Sequence, residues 1–169
     1  MAEVLRVGPE GGPEVEWELP VLLRSADAAD PKAAPTWRAD DLEWSEIASL
    51  RVIAAAFDDF ALAAVAARPA TAANPDEDRV AVALVGEPGP EEIAEALLST
   101  EYDADGRVRR IGIEIWPEAA GVGARRLAAD RSGDAAASEL DGAVREATPM
   151  AFHLDGKAGT GLHELLTPR

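Results

Sequence analysis

The sequence predicts a mainly β protein, a single antiparallel β-barrel or β-sandwich, and three observations carry that expectation. Apolar runs of strand length, about 5 to 8 residues each, recur along most of the chain. Turn-forming clusters separate them: "RPATAANPDED" (68–78), "GEPGP" (86–90) and "DADG" (103–106). Residues 110–116, "RIGIEIW", set Ile111, Ile113 and Ile115 on one side and Arg110, Gly112, Glu114 and Trp116 on the other, the period of two that a strand with unlike faces requires. A chain of 169 residues fits one β-rich domain over 1–169, which removes roughly two-thirds of its unfolded surface from water.

Taken in order, the expected strands are 15–23, 51–57, 61–67, 79–85, 97–102, 107–116, 122–128, 147–154 and 161–166. "SADAADPKAAP" (25–35) has small residues, acids and prolines without a period and reads as a mobile loop. So does "AADRSGDAAASELDG" (128–142), which is too poor in large apolar residues to anchor a core. Residues 47–66 support two readings. Ile47, Leu50, Ala54, Phe57, Ala61 and Ala64 recur at helical steps, whereas the β-branched Val52, Ile53 and Val65 and the tandem Asp58-Asp59 favour a hairpin turning at the two acids. As strands, 51–57, 61–67 and 79–85 are apolar on both faces, so the outer side needs a cover: a helix, a long loop or a second subunit. "GPEEIAEALL" (89–98) predicts one short helix near 90–98, with Pro90 at a first helical position and Glu91 and Glu92 at the positive end of the dipole.

The hairpin over 97–116 turns at "DADG", a type I turn with Gly106 free to take positive φ. That loop sets Asp103 opposite Arg107, Glu101 opposite Arg109, Ser99 opposite Ile111 and Leu97 opposite Ile113. On the other face Tyr102, Thr100 and Leu98 meet Val108, Arg110 and Gly112. The isoleucine side is the dry one.

Composition narrows the partners. A formal charge of -16 opposes binding to a phosphate backbone, so no nucleic acid is expected, and the acid excess reads as a solvated surface or a dock for a basic partner. Without cysteine there is no thiol nucleophile, thiolate metal site or disulfide. The opening "MAEVLRVGPEGG" lacks a basic segment followed by an apolar run, and no stretch of about 18 apolar residues occurs, so a cytoplasmic chain without a membrane span is expected. No cofactor and no metal is called for.

Two places carry candidate chemistry. On the mixed face of the hairpin, Tyr102, Arg110 and Trp116 are candidate ligand-binding residues and Glu114 a candidate proton-transfer group. Arg110 and Glu114 stand about 13 Å apart by strand rise and cannot pair with each other, while Gly112 between them leaves room for close approach. The other place is "TPMAFHLDGKAGTGLHELL" (148–166), with His153 and His163 as candidate acid, base or ligand groups beside Asp155 and Glu164. An odd-length loop such as 156–158 puts both histidines on one face; an even one such as 156–159 separates them. "GTGL" lacks the Gly-Lys-Ser/Thr of a phosphate-binding loop, and its glycines read as turn formers. "DADG" lacks the further acids of a calcium loop. "WRADDLEWSE" (37–46) clusters Asp40, Asp41, Glu43 and Glu46 between two tryptophans, as an acidic chain does by chance. Neither a Gly-x-Ser-x-Gly elbow nor a His-Glu-x-x-His motif occurs.

"LLSTEYDADGRVRRIGIEIW" followed by "MAFHLDGKAGTGLHE" resembles lipocalin-like β-barrel proteins related to carotenoid hydratases, over the second half of the chain. The resemblance implies a barrel holding a lipid-like or polyene ligand, with water added or a bond shifted by acidic side chains, though the hydratase-like members pair two barrels and this chain has length for one. The expectation is therefore a barrel that binds a small apolar molecule, with hydratase or isomerase chemistry through Glu114 or a histidine if it is an enzyme. The rival is a non-catalytic acidic interaction module that self-associates, as a homodimer for example, through its alanine-rich strands.

Overall fold

The computed structural model describes residues 4–7, 15–18, 24–26, 36–38 and 44–169 apart from 76–77, 87–88 and 141. Four short strands come first: β1 (Val4–Val7) pairs with β2 (Val15–Glu18), and β3 (Arg24–Ala26) with β4 (Thr36–Arg38). The expected strand over 15–23 is described at 15–18. The expected loop 25–35 begins inside β3 and then lies outside the described residues, as do 39–43 of the two-tryptophan segment.

A single 3-10 turn (Trp44–Glu46) leads into a ten-stranded sheet. Its strands are β5 (Ile47–Phe57), β6 (Phe60–Pro69), β7 (Arg79–Gly86), β8 (Gly89–Glu91), β9 (Ile93–Tyr102), β10 (Val108–Pro117), β11 (Arg125–Arg131), β12 (Ala136–Leu140), β13 (Ala143–Leu154) and β14 (Lys157–Pro168). The order in space is β8-β7-β6-β5-β14-β13-β11-β10-β9, every pairing antiparallel, with β12 alongside the first part of β13. The last strand, β14, joins the two halves by pairing with β5 on one side and β13 on the other. β9 comes up against β7 without a backbone ladder, so the sheet curls into a nearly closed barrel.

Alternation fills the interior. Ile53 and Ala55 of β5, Leu62 and Ala64 of β6, Val82 and Leu84 of β7, Ile111, Ile113 and Ile115 of β10, Leu127 of β11, and Met150, Phe152 and Leu154 of β13 form one core cluster. Residues 47–66 are a hairpin, with Val52 opposite Val65 and Ala54 opposite Ala63, and Asp58-Asp59 at its turn. The other face of β5 and β6 is buried too: Leu50, Val52, Ala54, Ala61, Ala63, Val65 and Ala67 are each at most 7% exposed. β1 runs against β6 and the 3-10 turn against β5, so segments of this same chain contribute to the cover.

Several expectations give way to the structure. The short helix near 90–98 is strand, β8 followed by β9. Pro90, Glu91 and Glu92, which suit a helix start, also fit the short strand β8 and the break after it; a bulge, marked by the shift between Trp116↔Glu95 and Pro117↔Ile93, lets Ile93 and Ala96, three residues apart, both turn inward on a strand. The register of the "DADG" hairpin also shifts. The turn itself forms as expected, with the Asp103 amide donating to the Arg107 carbonyl at 2.8 Å and Gly106 at φ 77, and Tyr102 faces Val108. Arg109 is then bulged out, so Arg110 lies opposite Glu101, Ile111 opposite Thr100 and Ile113 opposite Leu98. The bulge lets Val108 and Ile111, an odd three residues apart, both point into the core, at 2% and 0% exposure; it leaves Leu97 outside at 54%. Finally, 128–142 is not a single loop. β11 takes 125–131 and β12 takes 136–140, and the break between them lies beside Thr148 and Pro149 of β13. Proline has no amide to give a neighbouring strand. Gly133 fits there because an added Cβ would sit 3.2 Å from the Pro149 ring.

The glycines of "GTG" do not make turns. Gly159 and Gly161 lie inside β14, and a Cβ on Gly161 would stand 1.9 Å from the Ala54 carbonyl oxygen, which is backbone and cannot move aside. Gly161→Ala is therefore expected to lower stability by about 3 kcal/mol or more, read as a reduced urea midpoint with unchanged slope. A change near zero would show that β14 and β5 are not so closely apposed.

Candidate functional site

The structure places three of the four hairpin candidates on the outside of the barrel and leaves Tyr102, opposite inward Val108, at the end of the inner-face row. With Ile111, Ile113 and Ile115 inward, Arg110, Glu114 and Trp116 face away from the core, and the charged groups are occupied. Arg110 Nε donates to Asp130 Oδ1 at 2.9 Å, and Glu114 accepts an ion pair from Arg126 at 3.2 Å, both across the β10–β11 ladder. The Asp130 partner also holds the Arg110 guanidinium above its ordinary basicity. Trp116 is half-buried. Tyr102 is 48% exposed at the end of β9.

The two histidines are not brought together. β13 and β14 are joined by a two-residue turn, Asp155 and Gly156, both at positive φ (52 and 79), the arrangement of a tight type I′ hairpin. That even count pairs His163 with Thr148 on the inner face and leaves His153 exposed on the other. The turn acid Asp155 meets Arg125 at 2.6 Å instead of either histidine.

What gathers inside, at the end of the barrel holding the start of β5, is a polar group that the sequence reading did not single out. Arg51 extends from β5, donating from Nη1 to Thr100 Oγ1 on β9 at 2.7 Å and from Nη2 to Asp78 Oδ2, just ahead of β7, at 2.5 Å. Arg68, at the end of β6, holds the same carboxylate through two bonds, Nε to Oδ1 at 2.7 Å and Nη2 to Oδ2 at 3.0 Å. Asp78 and Arg51 are almost wholly buried, at 5% and 9% side-chain exposure, while Arg68 reaches the rim at 32%. On the same inner face, on the strands next to β5, stand His163 (2% exposed), opposite Ile53, and Thr148 (0%), its direct cross-strand neighbour. Among the described residues Thr148 Oγ1 and His163 Nε2 have no hydrogen-bond partner. A buried polar group left so costs about 1–3 kcal/mol, which makes two adjacent ones a departure from ordinary interiors. The signal in the sequence was Arg51 itself, a charge within an apolar strand covered on both faces, which must find a partner.

The electrostatics of this end are set by burial and by Arg51. His163 is pushed down to about 4 from 6.5, first by its removal from water and second by the Arg51 charge, so its imidazole is neutral at pH 7. Neutral imidazole and hydroxyl each donate one hydrogen bond and accept another. The opposite end of the barrel is closed differently: Phe57 stacks on Phe60 at 4.2 Å, with Lys157 and Arg125 at 5.6 and 6.0 Å from the Phe60 ring. Among the described residues no group of three or more His, Asp or Glu side chains is placed to hold a metal ion.

No protein-family model matches the chain, and no curated protein matches it. The site therefore rests on its own geometry.

Because His163 binds its proton less readily folded than unfolded, the unfolded state takes up a proton as pH falls from about 6.5 toward 4 and the folded state does not. Stability contributed by neutral His163 is complete above pH 6.5 and is lost across that window, on the order of 3 kcal/mol in all. Urea midpoints of the wild type and His163→Gln are expected to converge between pH 7 and pH 5, the variant falling less steeply. Parallel pH profiles would show that His163 titrates as freely in the fold as in the open chain.

Proposed function

We propose that this protein is a non-catalytic binder of a small molecule, which it takes at the polar end of the barrel between the Thr148–His163 pair and the Arg51–Asp78–Arg68 cluster. The observation that carries the reading is the pair of buried, unpartnered atoms, Thr148 Oγ1 and His163 Nε2, aimed into one interior. Their desolvation has been met by the fold already, so a ligand that bonds to both recovers interaction energy with little further loss of hydration. The middle of the barrel is filled by its own side chains, Ile53, Leu62, Ile111, Ile115 and Phe152 having no exposed surface. The ligand is accordingly held at the end, a polar head toward His163 and a short apolar body toward the rim.

Binding is favoured over hydratase or isomerase chemistry by the same electrostatics. An effective general base has a pKa near the working pH, and His163 at about 4 lies well below it. Glu114, the other candidate for proton transfer, is on the outer face and paired with Arg126. An interaction module that self-associates through the alanine-rich strands finds their outer face already buried within one chain. The resemblance to lipocalin-like barrels agrees with a binding role.

Thermal unfolding with a panel of small amphiphiles, alongside native mass spectrometry, tests this. A ligand at about 100 times its Kd adds about 2.7 kcal/mol, which for a domain of this size raises Tm by about 5–10 °C. The expected result is such a rise with a one-chain mass. No shift from any compound, together with a mass that doubles with concentration, would favour the interaction module.

A further inference from the structure

We infer that the head group received between Thr148 and His163 is a carboxylate. The inference rests on the binding role proposed above and gives it a ligand class. Directly opposed residues of an antiparallel pair have Cβ atoms about 4.5–5.5 Å apart, so one or two oxygens of a single head group lie within reach of both side chains. Thr148 and His163 each have a hydrogen to donate, the hydroxyl proton and, in the tautomer protonated at Nε2, the imidazole proton. A carboxylate accepts from both at once; an ammonium accepts from neither, and a hydroxyl accepts well from one.

Charge decides between a carboxylate and a neutral carbonyl. Two guanidinium groups, Arg51 and Arg68, share one carboxylate, Asp78, so this trio carries an excess of one positive charge. Burial and then the Arg51 charge disfavour a positive charge on His163. Where the head group would sit, the buried field is therefore positive, and in a medium of low polarity that field acts strongly on an anion. Hydrogen bonds to an ionised acceptor are also about twice as strong as those between neutral groups. The rim adds the half-exposed Tyr102 and Arg68, a phenol ring for an aliphatic body and a charge that draws the anion in.

The test titrates the full chain with octanoate, octan-1-ol and octylamine, read by calorimetry and by the side-chain nitrogen resonances of the two histidines. Octanoate is expected to bind about tenfold more tightly than octanol, and octylamine not at all, with the His163 resonances moving and those of exposed His153 staying. Thr148→Val, which keeps the shape of the side chain, and His163→Gln are each expected to weaken octanoate by about tenfold; His153→Gln is expected to leave it unchanged. Octanol binding as tightly as octanoate overturns the carboxylate assignment and leaves the binding role standing. Failure of all three compounds to bind overturns both. Octanoate binding that Thr148→Val does not weaken places the head group elsewhere and overturns the inference, whether or not His163→Gln folds.

Discussion

Arg51 spans the end of the barrel, from β5 to Thr100 on β9 and to Asp78 ahead of β7, and it does so where β7 and β9 meet without a ladder. Every other junction in the sheet is held by backbone hydrogen bonds, which need only extended chain on both sides. At this seam, closure depends on side chains: the Arg51–Asp78–Arg68 cluster near one end, and at the other an ion pair from Arg125 on β11 to Glu91 on β8. A buried ion pair is not a cheap fastener, because both charges lose water; removing one partner costs about 3–5 kcal/mol since the other charge is left behind. The bidentate grip of Arg68 on Asp78 is what makes the burial of that carboxylate tolerable.

The same cluster links fold to function. It brings a guanidinium inside the barrel, and that charge, with burial, keeps His163 neutral and hydrogen-bonding at pH 7. Without Arg51 at that position the interior would be an ordinary apolar core with a stray histidine. With it, one end of the barrel holds a buried guanidinium near two polar atoms, Thr148 Oγ1 and His163 Nε2, that have no hydrogen-bond partner among the described residues. The outer surface has no such concentration. There the arginines are spent on exposed pairs across β9, β10 and β11, Arg109 with Glu101, Arg110 with Asp130 and Arg126 with Glu114, each of a kind that contributes at most about 1 kcal/mol.

How much of this was legible in the sequence follows from what sets each feature. The β class, the "DADG" turn and the inward isoleucines are local consequences of alternation and turn chemistry, and they appear where expected; of the two readings that 47–66 supports, the hairpin is the one that forms. Bulges are not local in that sense. The one at Arg109 exists because Val108 and Ile111 must both reach a core assembled from distant strands, and the one near Ile93 likewise turns Ile93 and Ala96 to the same side, whereas the local start signals at Pro90, Glu91 and Glu92 read as a helix. Deleting no residue but shifting the ladder by one, the Arg109 bulge replaced Leu97 by Leu98 as the neighbour of Ile113. The site was less legible still. His163 was identified, but its companions Arg51, Asp78, Thr100 and Thr148 are scattered over nearly 100 positions and meet only when the barrel closes. The choice of a two-residue turn at Asp155-Gly156, which separates His153 from His163, depended on two positive φ values that "DGKAG" permits in more than one place.

Among the described residues, side chains and no ladder close the barrel between β7 and β9. Native-state hydrogen exchange on the wild type and Asp78→Asn tests this residue by residue. The β9 amides are expected to exchange faster than those of β14 and β5, and Asp78→Asn is expected to speed exchange in β9 and β7 while leaving the β13–β14 ladder protected. Amides of β9 protected as strongly as those of β14 in both proteins would mean that a continuous ladder closes the barrel and would contradict closure by side chains.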